Sequence, residues 1–425
     1  MTTTSTRSLE YLRGIETSMM MVLYYCNFLL KMLMLHHPEY TTYKQVDPGV
    51  IQGENMTTFS RDTSVFGVLP HELYAYYHYI NLATRAIYVN QFDQASAYYD
   101  TAFMHKTHPF YVDLANYVRV NYKCGQQTKN DSAIYRLIVG KHIDSTSLYL
   151  HIPKHWFDAD NRKLIHKLSR KTNTKTDIRS KIENPLRDVW ASDQGVREYD
   201  KIPAMSRAEI KAMYLRRDSV DSVNVVLFTS LIRTYGFPDE EMLGVDYHDS
   251  LSWNSVLRVL MLHFLQNQDA DDRREIIGMI LDAMHEGKWS SSLAASLLDY
   301  LNIHTGESLG MGQHFMYTSV NLVMGELYRP FVFYTDSLMQ ITNLNRVAIG
   351  LDSFHIAQRQ AVCQYLGSKQ QADKDMVIML PWAAYDELPP GLVKQSAKEA
   401  NVDVTTYKIN TAKILGECKC EEKTW

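Results

Sequence analysis

The stretch "LSWNSVLRVLMLHFLQ", Leu251 to Gln266, decides the fold class. Its apolar residues recur at helical rather than alternating spacing, which brings Leu251, Val256, Val259, Leu260 and His263 near one face. A second helical period follows from Glu275 to His285, with Ile276, Ile277, Ile280, Leu281 and Met284. Asp269, Asp271 and Asp272 stand just before it, where carboxylates satisfy free N–H groups and the helix dipole.

The same periodicity predicts helices over 8–36, 70–89, 92–106, 109–122, 206–217, 219–235, 290–303, 311–327, 351–366 and 391–400. Strand-like runs are short: "SLYLHI" (147–152), "MVIML" (376–380) and "VDVTTYKI" (402–409). The chain therefore reads as a large, mainly α protein with a minor β component. Proline and glycine punctuate residues 38–70 and 153–205. That divides it into an N-terminal helical lobe (1–152), a basic, Pro-interrupted connector (153–205), and a C-terminal helical lobe with a small β element (206–425).

With 425 residues, 45% apolar and 22% charged, the chain has the composition of a folded protein with ample core. Its formal net charge of −4 leaves any polyanion-binding surface local. The five cysteines (Cys26, Cys124, Cys363, Cys418 and Cys420) form no CxxC pair. Neither a disulfide framework nor a zinc ribbon is indicated, and a reducing, intracellular setting fits. "MMMVLYYCNFLLKMLML", Met19 to Leu35, is short for a membrane span and carries Asn27 and Lys31. Glu10 and Glu16 oppose a signal peptide, so the expectation is a buried first helix ended at Pro38, or one packed on a neighbouring subunit, and no membrane partner.

Local catalytic and metal signatures fail on inspection. "HELYAYYHY" opens like a zinc-protease helix, but Ala75 occupies the place of the second histidine, and His71 and His78 are two turns apart. Asp271-Asp272-x-x-Glu275 resembles the magnesium–diphosphate motif of terpene synthases, yet here the acids open a helix and no second metal motif follows. There is no phosphate loop, no dinucleotide fingerprint and no GxSxG elbow, and "GMG" at Gly310–Gly312 lacks the remaining glycines. No cofactor, metal site or catalytic residue is expected. Tyr79, Leu82, Ala83, Ala95, Tyr99 and Ala102 match six signature positions of a tetratricopeptide hairpin, without a second copy.

"RKLIHKLSRKTNTKTDIRSK" carries Arg162, Lys163, Lys167, Arg170, Lys171, Lys175, Arg179 and Lys181 against the single acid Asp177. Arg162, Lys163, Ile165 and His166 can share a short helix that "TNTKT" then breaks. These cations suit RNA phosphates, which need charge but no fixed register, and a solvated basic loop is the bland alternative. Few aromatics interleave them, so base reading is not indicated. Arg207, Lys211, Arg216 and Arg217 form a second basic cluster. Tyr (28) outnumbers Phe (14) and Met reaches 20, a usage suited to half-buried and interface positions.

In size, helix content, Tyr/Met usage and lack of a local active-site signature, the chain resembles the mostly helical coat and nucleocapsid proteins of RNA viruses, including those of the partitivirus kind. No motif carries that resemblance, so no residue roles transfer with it. It implies a non-enzymatic, self-assembling structural subunit, in large homo-oligomers, enclosing RNA without sequence specificity, in a virion or the host cytoplasm. The slight acidity suits a shell around duplex RNA better than a filament. The alternatives are an intracellular helical scaffold built on the tetratricopeptide-like hairpin, or a helical enzyme whose site converges from distant segments.

Overall fold

The structure is a computed structural model. It describes residues 68–88, 90–152, 154, 157, 159–172, 177–197, 205–248, 251–267, 270–305, 320–323, 326–328, 336–358, 360 and 385–387. The described chain is mainly α, as its periodicity predicts.

It opens with an antiparallel hairpin of α1 (His71–Tyr88) and α2 (Phe92–His105). Ala83, Ala95, Tyr99 and Ala102, four of the residues read as a close-packing pattern, are fully buried. The three alanines keep the backbones close enough for the Tyr99 ring to fill the space between them. Asn90, at φ 59, turns the chain back between the two helices. Next come α3 (Tyr111–Lys123), α4 (Asn130–Tyr135), a π-turn (Arg136–Gly140) and α5 (Ser145–His151). Residues 147–152, expected as a strand, thus lie in α5 and its C-cap: the Asp144 carboxylate accepts from the Ser147 N–H at 2.8 Å and caps a helix over the run.

The segment 153–205, expected as a connector, contains two helices, α6 (Ala159–Thr172) and α7 (Asp177–Gly195). Both contribute to the common core, through Ile165 and Leu168 and through Ile182, Leu186 and Val189. Pro185 lies inside α7 rather than ending it, and is itself exposed. The two helices expected over 206–217 and 219–235 are one, α8 (Arg207–Tyr235). It starts on a complete capping box, in which the Ser206 hydroxyl accepts from Glu209 N–H and the Glu209 carboxylate from Ser206 N–H.

After the one-turn α9 (Glu240–Leu243), β1 (Asp246–His248) pairs antiparallel with β2 (Leu251–Ser252). α10 (Trp253–Asn267) follows, so Leu251 belongs to the strand pair. The buried face of α10 runs through Trp253, Val256, Leu257, Leu260, Met261 and Phe264, a rotation from the expected face that leaves Val259 half-buried. α11 (Ala270–His285) and α12 (Ser291–Thr305) pack on α10 and on each other. Residues 320–323 and 326–328, at the end of the helix predicted over 311–327 and one residue beyond it, instead form antiparallel β3 (Val320–Val323) and β4 (Glu326–Tyr328). So short an apolar run fits either period. β5 (Tyr385–Glu387) adds to β3 in parallel.

α13 (Asp336–Ala348) returns the chain to α1, and residues 354–358 are helical again, inside the helix predicted over 351–366. Leu69 N–H donates to Ala348 O at 3.2 Å, and Asn81 Nδ2 to Gly350 O at 2.9 Å. Arg85 pairs with Asp352. One continuous hydrophobic core runs from Leu69 through Ile349. The predicted strands at 376–380 and 402–409, the predicted helices at 8–36 and 391–400, and Met19–Leu35 lie outside the described residues. Among the described residues no helix is long and apolar enough to cross a membrane.

Candidate nucleic-acid interface

The cations of the basic stretch divide by the face on which they emerge. At 3.6 residues per turn, positions 162, 163, 166 and 167 share an arc of about 140° on α6. Arg162, Lys163, His166 and Lys167 are all exposed, while Asn161, Ile165, Leu168 and Ser169 on the other side are buried. The helix is thus amphipathic in an unusual sense: apolar and amide contacts hold one side, and cations occupy the other, with Lys163 paired to the exposed Asp160 at 3.1 Å. Asn161 fixes its start by donating to Asp131 Oδ1 at 2.7 Å.

Arg170 and Lys171 continue along α6, their side chains outside the described set, and Lys175 also lies outside it. Lys181, on α7, is exposed. Arg179 departs from the expectation. Its side chain is 13% exposed and its Nε sits 3.3 Å from Glu183, which also receives Arg187 at 2.6 Å. A buried carboxylate holds this arginine inward, so it belongs to the packing of α7 and not to the basic surface.

Lys154, which the sequence pattern misses, enlarges that surface. It is exposed, with its Nζ 5.5 Å from the Tyr149 ring centre, and the Arg162 charge acts on the same tyrosine. The nearby aromatics are largely turned inward: Phe157 is buried and Trp190 half-buried. Among the described residues the face offers charge and hydrogen-bond donors without a row of stacking partners for bases, a phosphate-reading rather than a sequence-reading chemistry. In the second cluster Arg207, Lys211 and Arg216 are exposed, whereas Arg217 pairs with Asp218 at 2.7 Å and lies over the Tyr214 ring.

The other sequence candidates resolve into structural roles. His71 and His78 are both exposed. Glu72, in the first turn of α1, meets His105 Nδ1 at 2.7 Å, and that contact holds its carboxyl below the usual range. Glu275 pairs with Arg233 of α8, and α11 starts at Ala270, which places Asp271 and Asp272 in its first turn. Gly310–Gly312 lies outside the described residues. Among the described residues no group of three or more His, Cys, Asp or Glu is placed to hold a metal ion.

Titratable groups do converge elsewhere, from segments no local motif could connect. Lys106 donates to Gly287 O at 2.6 Å with its ammonium 4.6 Å from the Phe110 ring centre, and desolvation brings it down to about 8. Asp113 accepts from the Tyr76 hydroxyl, and desolvation pushes its carboxyl up to about 7. Buried Lys141 lies 3.3 Å from Glu240, whose carboxylate also accepts from Tyr111 N–H at 2.8 Å and Asn254 Nδ2 at 2.9 Å. Each group here has a partner within the fold. The arrangement is a polar seam that fastens the α1–α3 unit to α9, α10 and the α11–α12 turn.

A second buried group joins α7, α8 and α10. Arg197 reaches Asp193 Oδ1 at 2.8 Å and both carboxylate oxygens of Asp221, at 2.9 and 3.0 Å. Burial lowers His263, whose Nδ1 stands 3.0 Å from Asp193 Oδ2. A neutral ring donating from Nδ1 satisfies that geometry. No family model, curated protein or solved structure matches the chain.

Proposed function

We propose that the chain is a self-assembling structural protein, of the capsid or nucleocapsid kind, that encloses RNA through sequence-independent phosphate contacts. The observation that supports this reading is the exposed side of α6, where Arg162, Lys163, His166 and Lys167 emerge together from a helix whose other side is in the core. From Arg162 to Lys167 this face covers about 7.5 Å of helix axis, enough to meet about two neighbouring phosphates along one strand. Because the overall charge is −4, one copy gains little affinity from this face. Many copies in an assembly multiply it by raising the local concentration of every other contact. The buried seam and the Asp193–Arg197–Asp221 group fix the rigid body that presents the helix.

The test is the salt dependence of RNA binding. Replacing Arg162, Lys163 and Lys167 by Gln removes three exposed charges and no buried atom, so the circular-dichroism spectrum stays unchanged. Removing one phosphate contact lowers the slope of log affinity against log salt by roughly 0.7 on single strands and 0.9 on duplexes. The triple variant is therefore expected to show a slope smaller by about two units on single strands and about 2.7 on duplexes, equally on unrelated RNA sequences. An unchanged slope would show that the face is only solvated.

A further inference from the structure

The first turn of α3 brings two carboxyl groups to one desolvated place. Asp113 belongs to that turn, and its carboxyl accepts from the Tyr76 hydroxyl of α1. Glu240 reaches the same helix start from α9, where its carboxylate accepts from Tyr111 N–H at 2.8 Å. Glu240 is 5% exposed, so its charge is met by protein groups rather than by water. Both acids stand on the seam that joins the α1–α3 unit to the rest of the core.

Two like charges in such a place repel, and one of the acids resists ionisation. The cations that could offset a second negative charge are already engaged. Lys141 lies 3.3 Å from Glu240 and 3.5 Å from Glu241, while Lys106 donates to Gly287 O with its ammonium over the Phe110 ring. Asp239 and Glu241 add negative charge from the α9 side. The other groups facing Asp113 are Tyr76 and Tyr77 of α1 and Tyr99 of α2, phenols that burial keeps neutral. Burial acts most strongly on Asp113 and the Glu240 charge adds to it. Together they outweigh the Tyr76 hydrogen bond and the two lysines, and hold the carboxyl up to about 7. A protonated Asp113 loses nothing at Tyr76, since an un-ionised carboxyl still accepts a hydrogen bond.

We infer that Asp113 is a proton-operated latch on this seam: with its proton the carboxyl lies beside Glu240 without repulsion and α3 stays fastened to α9, and without it the two acids loosen the seam. The latch depends on neither RNA nor assembly, and so goes beyond the function proposed above. An opened chain releases the Asp113 proton near the ordinary value of 3.8, whereas the closed seam holds it to about 7. The closed form therefore has its full advantage below about pH 4 and loses it as pH rises to about 7. That direction is opposite to ordinary acid denaturation, in which paired carboxylates weaken the fold as they take up protons.

The test is hydrogen exchange of the full-length chain, read by mass spectrometry at about pH 5 and about pH 7.5 and corrected for the intrinsic pH dependence of exchange. Protection of residues 106–123 and 236–245 is expected to be at least tenfold higher at the lower pH. Asp113→Asn keeps an acceptor for Tyr76 and cannot ionise, so it should be as protected at the higher pH as the parent is at the lower. His108 pairs with Glu241 at 2.6 Å, and His142 Nε2 stands 3.0 Å from Glu241 O. Histidines are the other side chains here suited to take up a proton near neutral pH. Equal protection of the parent at both pH values overturns the latch. A pH dependence that survives in D113N overturns it as well, by assigning the effect to those histidines. An infrared titration of the parent, isotope-labelled in its aspartate carboxyls, needs no variant. A protonated band that persists to about pH 6 and is lost by about pH 8 is expected, and its absence at about pH 6 overturns the inference.

Discussion

Replacing Arg197 by Met is expected to lower the stability of the fold by about 3–5 kcal/mol, the range for removing one member of a buried ionic group. The Arg197 side chain is 4% exposed and those of Asp193 and Asp221 are 0% exposed. Its guanidinium is the cation that faces both carboxylates. Methionine preserves much of the apolar volume but leaves two buried negative charges without it. His263 offers little relief, because burial disfavours its charged form. For a protein whose total stability is of the order of 5–15 kcal/mol, the loss removes a large share, with a fall in Tm of about 3–6 °C for a chain of this length. Adding Asp193→Asn and Asp221→Asn to the Met variant should recover part of it, because the two buried negative charges that faced the guanidinium go. Thermal denaturation of the three proteins measures both steps. A Met variant within about 0.5 kcal/mol of the parent, the range of ordinary surface substitutions, would show that the group is hydrated and not enclosed.

Gly350→Val is expected to cost about 2–5 kcal/mol, from backbone strain of about 1–2 kcal/mol together with overpacking of about 1–3 kcal/mol. The residue has φ +76, which L side chains rarely adopt, and a Cβ there would stand 2.7 Å from Tyr77 Cβ. Tyr77 cannot yield easily, since its hydroxyl accepts from Ser291 N–H at 3.0 Å and its ring stacks on Phe110. The site is where the return from α13 closes onto α1, so the variant should loosen the 348–352 segment and the α1–α2 hairpin together. Gly278 supplies the contrast. It lies inside α11, and a Cβ added there would meet nothing within 4 Å, so Gly278→Ala should be neutral or stabilise by up to about 1 kcal/mol. Hydrogen exchange across residues 71–105 and thermal denaturation follow the two effects.

The hairpin and the α10–α11 pair are legible in the sequence because their periods are long enough to exclude a strand. Alanines at 83, 95 and 102 foretell the close approach of α1 and α2, and burial of all three is what the spacing requires. The run at 147–152 misleads because Leu148 and Leu150 alternate, while the decisive signal is the cap at Asp144. α8 reads as two helices if Asp218–Ser219 is taken as a break. In the fold the Asp218 backbone carbonyl accepts from the Ser222 hydroxyl and its carboxylate pairs with Arg217, so the helix continues through it.

The basic stretch is recognisable by charge but not by face. Leu164, Ile165 and Leu168 already hold the inward spacing of α6, and the density of lysine and arginine hides it. Arg179 cannot be separated from its neighbours by sequence, because only the folded chain brings it against Glu183. The seam of Lys106, Asp113, Lys141 and Glu240 has no sequence signal at all. Its members come from separate segments, and their charges are perturbed by burial, which a linear pattern does not record.

The most direct measurement of the central claim is sedimentation velocity of the purified full-length chain at micromolar concentration, recorded at 260 and 280 nm. An assembling RNA-enclosing subunit is expected to run as large particles with excess absorbance at 260 nm, from RNA that resists added nuclease until the particles are opened. A single slow boundary at the mass of one chain, with no excess at 260 nm, would contradict the account.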